Sequence, residues 1–162
     1  MEHVTHEAFF GATIDNIKIE NLDRNDQELR VRYTLRANSY AKDVGPLLLV
    51  RPRVIGQYWN SLDSKERKYP YEFDYAEGRN DDFSITLPPG YKLDELPNPV
   101  HTDVGFATYT AKAEVKDNVL HYTRTMEIRD PEVKLENITD LRRLFHSIAL
   151  DEKSSAVFKR AD

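Results

Sequence analysis

Cysteine is absent from the 162-residue sequence, and this single absence excludes several kinds of site. Without a thiol the chain can form no disulfide, iron–sulfur cluster or Cys-ligated zinc site, and it has no thiolate nucleophile. Glycine occurs only six times and forms no cluster of the kind that cradles phosphate groups. The Gly-x-Ser-x-Gly motif of serine hydrolases is also missing. These absences leave no nucleophile motif in the chain.

A basic charge balance and a long apolar run are missing as well. The formal net charge is −5, so no positive field can neutralise a run of phosphates, and we predict no nucleic-acid binding. The apolar run Leu47–Val50 is far shorter than the ~20 residues of a membrane-spanning helix. The N-terminus lacks the basic, apolar and small-residue order of an export signal. We therefore predict no membrane insertion and no targeting signal in this chain.

The sequence does contain clear β-strand periodicity. In the segment 29–37, apolar side chains alternate with three arginines and a threonine, which is typical of a half-buried strand. Ile17 and Ile19 suit a shorter strand before it, and the Asn- and Asp-rich residues 21–26 between them are typical of a turn. We predict that these two strands pair antiparallel.

Periodicity predicts further strands at 47–50, 69–75, 83–87, 106–115 and 119–128. The run 47–50 is apolar throughout and lies between prolines, so we expect a strand covered on both faces. The last two strands form the best hairpin in the sequence. Arg124 falls on the inner, apolar face of that hairpin, so its charged side chain needs a partner or a path to solvent.

The hydrophobic period changes only near the C-terminus. Leu141, Leu144, Phe145 and Ile148 follow helical spacing and predict a short helix over 139–149. Thr139 is the expected N-cap of this helix. A closing strand is predicted at 155–159.

Together these elements predict an all-β fold, namely an antiparallel β-sandwich of immunoglobulin-like architecture with one short C-terminal α-helix. The length fits a single domain over 1–162. Residues 1–13 belong to a terminal segment of a kind that is often disordered, and 14–50 hold the N-terminal strands. A polar and aromatic segment spans 56–82, and 83–135 hold further strands and the hairpin.

Side chains that could carry polar chemistry are scattered. The histidines are His3, His6, His101, His121 and His146, and they lack the spacing of metal ligands. The acidic residues Glu72, Asp74, Glu77, Asp81 and Asp82 could suggest calcium, but their spacing differs from an EF-hand loop. A solvated turn is the favoured interpretation. We predict no catalytic, metal-binding or cofactor-binding residue.

Aromatic and arginine side chains give two candidate binding surfaces. The aromatic candidates for stacking on a sugar or a peptide are Trp59, Tyr69, Tyr71 and Tyr75. Packing in the core or at a sheet edge is the favoured alternative for them. The stripe of Arg30, Arg32 and Arg36 could bind an anion, although a solvated strand face balanced by acidic neighbours is favoured.

The order of several motifs resembles a known family. These motifs are Pro52, Glu66-Arg67-Lys68-Tyr69-Pro70, Ile85-Thr86-Leu87-Pro88-Pro89-Gly90-Tyr91 and Leu96-Pro97, followed by the hairpin and the helix. They resemble the C-terminal β-sandwich domain of unknown function in bacterial transglutaminase-like proteins. In that family a β-sandwich and a papain-like core with Cys, His and Asp come first. The resemblance covers nearly all of this chain, with 14–50 as the joining segment, but the catalytic core is absent from it.

The resemblance implies a non-catalytic accessory domain. Its expected partner is the transglutaminase-like core of the same parent chain, against which it would pack or for which it would position substrate. A periplasmic or cell-envelope location is implied for the parent. An independent carbohydrate- or peptide-binding module is the alternative function. A hydrolase is a third class, which a pocket gathering two or more carboxylates would favour.

Overall fold

The fold is that of a computed structural model, which describes residues 13–37, 40–58, 62 and 66–161. The chain divides into two compact units, residues 1–40 and 41–162. The single domain over 1–162 stays a prediction.

The first unit contains an antiparallel hairpin of β1 (Thr13–Glu20) and β2 (Arg30–Arg36). Across the hairpin Ile14 lies opposite Leu35, and Ile19 lies opposite Val31. The register shifts between Asp15 and Lys18, where Asn16 has a φ of 55°. The left-handed conformation is one that Asn tolerates, so an extra residue is accommodated there without glycine. The predicted antiparallel pairing is confirmed.

Among its described residues, the second unit contains ten strands and one α-helix. The strands are β3 (Lys42–Val44), β4 (Leu47–Val50), β5 (Tyr71–Glu72), β6 (Glu77–Thr86), β7 (Tyr91–Glu95), β8 (Val100–Asp103), β9 (Ala107–Lys116), β10 (Val119–Ile128), β11 (Glu132–Val133) and β12 (Ala156–Arg160). A 3₁₀ turn at Leu135–Asn137 leads directly into helix α1 (Ile138–Lys153).

Two four-stranded antiparallel sheets organise this unit. One has the strand order β6-β10-β9-β8, and the other has the order β3-β4-β12-β7. The short strands β5 and β11 form a separate pair. The all-β, sandwich-like fold with a single C-terminal helix is therefore confirmed. The predicted closing strand is also present, and it lies inside its sheet, where it pairs with both β4 and β7.

The main core lies where α1 covers the sheet of β8, β9 and β10. The helix contributes Leu141, Leu144, Phe145 and Ile148, the four residues that its sequence periodicity predicts. Alternate residues of β9 and β10 meet them, including Tyr109, Tyr122 and Met126. Within the described residues, no helix has the length and apolar character needed to cross a membrane.

The helix is longer than predicted, and its N-cap was assigned wrongly. It spans Ile138–Lys153 rather than 139–149, because two acidic residues of its last turn, Asp151 and Glu152, are buried against the sheet. Thr139 lies inside the helix, and the N-cap residue is Asn137, whose side chain makes no capping hydrogen bond. The reason is that the preceding 3₁₀ turn already leads the backbone into the helix.

Two predictions for residues 69–82 were also wrong. The expected strand over 69–75 reduces to Tyr71–Glu72, because only these two residues pair with β11. The acidic residues from Glu77 to Asp82 were expected in a solvated turn but belong to β6, which pairs along its whole length with β10. Asp81 lies directly opposite Arg124 in this ladder, so its charge is used inside the fold.

Candidate functional site

Arg124 is a buried cation in the middle of an apolar strand face. Tyr122 and Met126, which flank Arg124 on the same face of β10, have buried side chains. The side chain of Arg124 is itself fully buried. An unpaired charge in such a place would be unstable by many kcal/mol, so its partners define the site. The sequence already requires that such partners exist.

Two carboxylates and two backbone carbonyls accept hydrogen bonds from the Arg124 guanidinium. Nε donates to Oδ2 of Asp81 over 2.7 Å, and Nη1 donates to Oε1 of Glu152 over 2.6 Å. Nη2 donates to the carbonyl oxygens of Ile55 at 3.0 Å and Gly56 at 3.3 Å. The planar, five-donor guanidinium suits this arrangement, because it can engage several acceptors at once.

Tyr58 closes the arrangement on one side. The guanidinium carbon of Arg124 lies 3.8 Å from the centre of its ring, a cation–π contact. The Tyr58 hydroxyl donates to Oδ2 of Asp81 at 2.8 Å, and its backbone N–H donates to Oε1 of Glu152 at 2.8 Å. We call Arg124, Asp81, Glu152 and Tyr58 the arginine cluster.

The segment before Tyr58 is held close to this cluster by a second arginine. Nη1 of Arg53 donates to the carbonyl oxygen of Gly56 over 2.5 Å, and Nε of Arg53 lies 4.0 Å from Oε2 of Glu152. Gly56 has a φ of +73°, and a Cβ at this position would lie 3.1 Å from Nη2 of Arg124. Glycine is therefore favoured by the backbone conformation, and a larger residue would also have to displace the guanidinium by a few tenths of an ångström.

Burial and charge shift the pKa values of the cluster. Burial raises the pKa of Glu152, although the Tyr58 N–H and the Arg124 charge oppose this shift. Burial lowers the pKa of Arg124, but the attraction of Asp81 and Glu152 outweighs it and the net shift is upward. Burial and the hydrogen bond to Asp81 raise the pKa of the Tyr58 hydroxyl. The directions fit a charged arginine that is stabilised by buried acidic partners.

A second buried group, which we call the tyrosine cluster, adjoins the first. The hydroxyls of Tyr109 and Tyr122 both donate to Oδ2 of Asp151 over 2.5 Å. The rings of Tyr58 and Tyr109 meet edge to face at 6.4 Å, which links the two clusters. Burial and the hydrogen bond to Asp151 raise the pKa values of both Tyr109 and Tyr122.

Both clusters draw on the last turn of α1. Asp151 and Glu152 lie close to the C-terminus of the helix, where the helix dipole disfavours negative charge. Arg124 and the two tyrosine hydroxyls supply the compensation that the helix itself does not. The clusters therefore attach the end of the helix to β9, β10 and the segment 53–58.

Chemically, the arrangement is a closed polar network. Three carboxylates, Asp81, Asp151 and Glu152, meet here, but each accepts hydrogen bonds from neighbouring protein groups. Among the described residues, Oε2 of Glu152 is the one carboxylate oxygen of the buried set without a hydrogen-bond partner. Its side chain is only 1% exposed, so a substrate would have no direct access to it.

The aromatic residues singled out from the sequence are in different environments. Trp59 lies outside the described residues. Tyr71 packs against Phe73 and Phe145, with ring centres 5.1 and 5.9 Å away, and is part of the core surroundings. Tyr69 and Tyr75 are 77% and 58% exposed. Of these three tyrosines, Tyr71 packs inside the fold, whereas Tyr69 and Tyr75 face solvent. A binding role for them stays a prediction.

The other sequence candidates do not gather into a site. Within the described part of the chain, no group of three or more His, Asp or Glu residues is placed to hold a metal ion. His121 contacts Ser84, with Nδ1 and Oγ 3.1 Å apart on the exposed surface. Arg30, Arg32 and Arg36 lie on the outer face of β2 and pair with Glu28, Glu20 and Asp15. This is the balanced strand face that the sequence favoured.

Sequence reasoning identified Arg124 but missed its partners. Asp151 and Glu152 lie beyond the predicted end of the helix, and Tyr58 lies in a part of the segment 56–82 for which only a polar and aromatic character was predicted. One signal was available, since two adjacent acidic residues at the end of a helix oppose its dipole and call for compensation.

Comparison with known families now adds context. Residues 47–158 match a family described as a domain of unknown function with a solved structure, DUF3858. This match spans more than half of the chain. The chain belongs to the DUF3858 family. The matched residues run from β4 into β12, so this DUF3858 domain includes both clusters and leaves the hairpin of the first unit outside.

A similar fold occurs in a crystal structure of a protein from Parabacteroides distasonis that is described as a "putative protease". The TM-score is 0.54 at 19% sequence identity, so the similarity shows the fold alone. It covers 61% of this chain and 19% of that chain. The matched part of this chain thus corresponds to about a fifth of the length of that other protein. A search of curated proteins found no match.

Proposed function

We propose that the DUF3858 domain is a non-catalytic accessory domain of a larger bacterial protein with a transglutaminase-like or cysteine-protease-like core. It packs against that core or positions substrate for it. The observation that carries this proposal is the mutual pairing of carboxylates, tyrosines and Arg124 in both clusters, in which every member except Asp81 and Tyr58 is buried. General acid–base groups must reach the proton that they transfer, and Asp151 and Glu152 are too deeply buried to reach a bound substrate.

Two further observations support the proposal. The motif order from Pro52 to the helix resembles the domain that follows a papain-like core, and the similar fold forms 19% of a longer chain described as a protease. An accessory domain needs a rigid body with fixed surfaces, and the clusters rigidify the fold by tying the helix end to two strands and a loop. We place the parent protein in the periplasm or cell envelope, on the family resemblance.

The first experiment is to read the native open reading frame around Met1. We expect it to extend upstream into a segment with Cys, His and Asp. In the longer protein, replacing that Cys by Ala should abolish turnover, whereas Glu152→Gln should lower stability without changing kcat at a temperature where the fold is intact.

Two results would contradict the proposal. One is a frame that begins at Met1. The other is hydrolysis of an amide or glycoside by the 162-residue chain alone that Glu152→Gln abolishes, because this would assign chemistry to the buried carboxylates.

A carbohydrate- or peptide-binding module is the second candidate function, and one observation favours it. Tyr69 and Tyr75 are mostly exposed, so their rings offer aromatic surface to a ligand. Exposed tyrosines are common in contact surfaces, because they offer a large area at a low entropic cost. This function requires that binding of a glycan or peptide fall in Tyr69→Ala or Tyr75→Ala variants that remain stable.

A further inference from the structure

The hairpin of β1 and β2 has one apolar face. Residues directly opposite each other in an antiparallel pair project to the same side, and successive residues project to opposite sides. The pairs Ile14–Leu35 and Ile19–Val31 therefore share a face. Ile17, two residues before Ile19, lies on it as well. We call these five residues the apolar face.

The charged residues of the hairpin project to the opposite side. Lys18 lies opposite Arg32, and Glu20 lies opposite Arg30. Glu20 also pairs with Lys18 at 2.7 Å and with Arg32 at 2.9 Å. One of these ion pairs lies along β1 and the other crosses to β2, so both are satisfied within the hairpin and the charged face needs no external partner.

Three residues of the apolar face are exposed, and the other two, Ile14 and Leu35, are half-buried. Ile17 is 51% exposed, Ile19 44% and Val31 37%, and two leucines beside the turn are exposed further. A two-stranded hairpin is marginally stable by itself, and an apolar patch of this kind on a folded protein marks an interaction surface. The alternation that makes the strands amphipathic therefore indicates that something covers this face.

The size of the face indicates which kind of partner covers it. One face of a hairpin whose strands have seven or eight residues has a surface area on the order of 300 Å². A partner that covers it contributes a similar area, so roughly 600 Å² would be buried in total. Stable interfaces between separate proteins bury about 1,200–2,000 Å², whereas interfaces between domains of one chain begin at about 600 Å². The face is thus too small to hold a second copy, but it is large enough for a tethered domain, whose effective concentration is high.

We propose that the apolar face docks onto an uncharged, apolar surface of a neighbouring folded domain in the same polypeptide. The inference rests on the proposed function, since it requires a longer protein. It also goes beyond it, because it assigns the contact to the hairpin and not to the family domain. The hairpin precedes the first matched residue, Leu47, and so lies outside the residues that match the family. A highly charged partner surface is excluded, because its charges would lose their hydration against the isoleucines of the apolar face and gain no partner there.

The test compares hydrogen–deuterium exchange of the hairpin in the 162-residue chain and in the longer natural protein. We expect hairpin amides to exchange roughly tenfold more slowly, or slower still, in the longer protein. Ile19→Ser/Val31→Ser should remove that protection and leave exchange in 41–161 unchanged. Lys18→Ser/Arg32→Ser is the matched control, since it changes the neighbouring cross-strand pair on the charged face and should keep the protection.

Each other outcome contradicts the proposal. If the frame begins at Met1, the proposed function and this inference fail together. If the frame is longer but the hairpin gains no protection, only the inference fails. Concentration-dependent dimers of the 162-residue chain that the Ile19→Ser/Val31→Ser variant dissociates would assign the face to a second copy. If the hairpin gains no protection because its exchange is already slow in the 162-residue chain, that chain covers the face itself.

Discussion

Nη1 of Arg124 and Oε1 of Glu152 are 2.6 Å apart, and both side chains are buried. The two residues come from β10 and from the last turn of α1, so this one contact joins the sheet to the end of the helix. Replacing both residues of a buried ion pair with apolar residues often leaves the free energy of unfolding unchanged. Removing only one of them lowers it, because the other charge stays buried without a partner. The contact is therefore a sensitive test of how the fold is held together.

Arg124→Met should destabilise the protein by about 3–5 kcal/mol, because the buried Glu152 would lose its cation and the partly exposed Asp81 would lose its partner. Urea denaturation followed by circular dichroism measures this loss. The double variant Arg124→Met/Glu152→Leu should recover part of the lost stability, since the second change removes the unpaired carboxylate. Arg143→Met is the control: its ion pair with Asp140 is about half exposed, so we expect a change within about 0.5 kcal/mol. A loss no larger than that of the control would show that the buried pair is not important for stability.

Gly56→Ala should destabilise more than Gly45→Ala. Both glycines have a positive φ, +73° and +61°, so each alanine incurs a backbone penalty of about 1–2 kcal/mol. Only at Gly56 does the new Cβ meet a neighbour, Nη2 of Arg124 at 3.1 Å. The difference between the two variants therefore measures the close contact. Equal losses would mean that the guanidinium moves away at little cost.

Stability should fall steeply above pH about 10, where unfolded tyrosines ionise. The folded pKa values of Tyr109 and Tyr122 are raised by burial and by Asp151, so the folded state holds both hydroxyls neutral. Their contribution is fully present below the unfolded pKa and is lost as pH rises toward the raised folded values.

The measurement is urea denaturation between neutral and alkaline pH for wild type and for Tyr122→Phe. The variant should lose about 1–3 kcal/mol at neutral pH and show a shallower alkaline decline. Tyr69→Phe removes an exposed hydroxyl and should leave neutral stability unchanged. An alkaline decline that is identical in wild type and Tyr122→Phe would disprove the linkage.

Tyr71→Ala and Tyr75→Ala should separate packing from binding. Tyr71 contacts Phe73 and Phe145, so its loss should lower the free energy of unfolding by about 2–3 kcal/mol. Tyr75 is 58% exposed, so its replacement should change stability by less than about 0.5 kcal/mol. Calorimetry with glycan and peptide probes then checks binding. If Tyr75→Ala binds every such probe as wild type does, the binding-module function loses its support at this residue.

Local patterns predicted most of the fold. Alternation identified the hairpin of β9 and β10, and helical spacing identified the buried face of α1, because side-chain period follows directly from backbone geometry. Element limits were less accurate at 69–75 and at the helix end. There, pairing with β11 and burial of Asp151 and Glu152 decided the boundaries, and neither is visible in local periodicity.

By itself, the sequence determined that Arg124 lies on an apolar strand face and must find a partner, since strand alternation allows no other side. Only the tertiary structure decided which residues serve. Asp81 is 43 positions away along the chain, Glu152 is 28 away, and Tyr58 and Glu152 are separated by 94. The need for a partner can be predicted locally, because the cost of desolvating a buried charge falls on Arg124 itself. The residues that bind Arg124 cannot be predicted locally, because they come from strands, a helix and a loop that only the fold brings together.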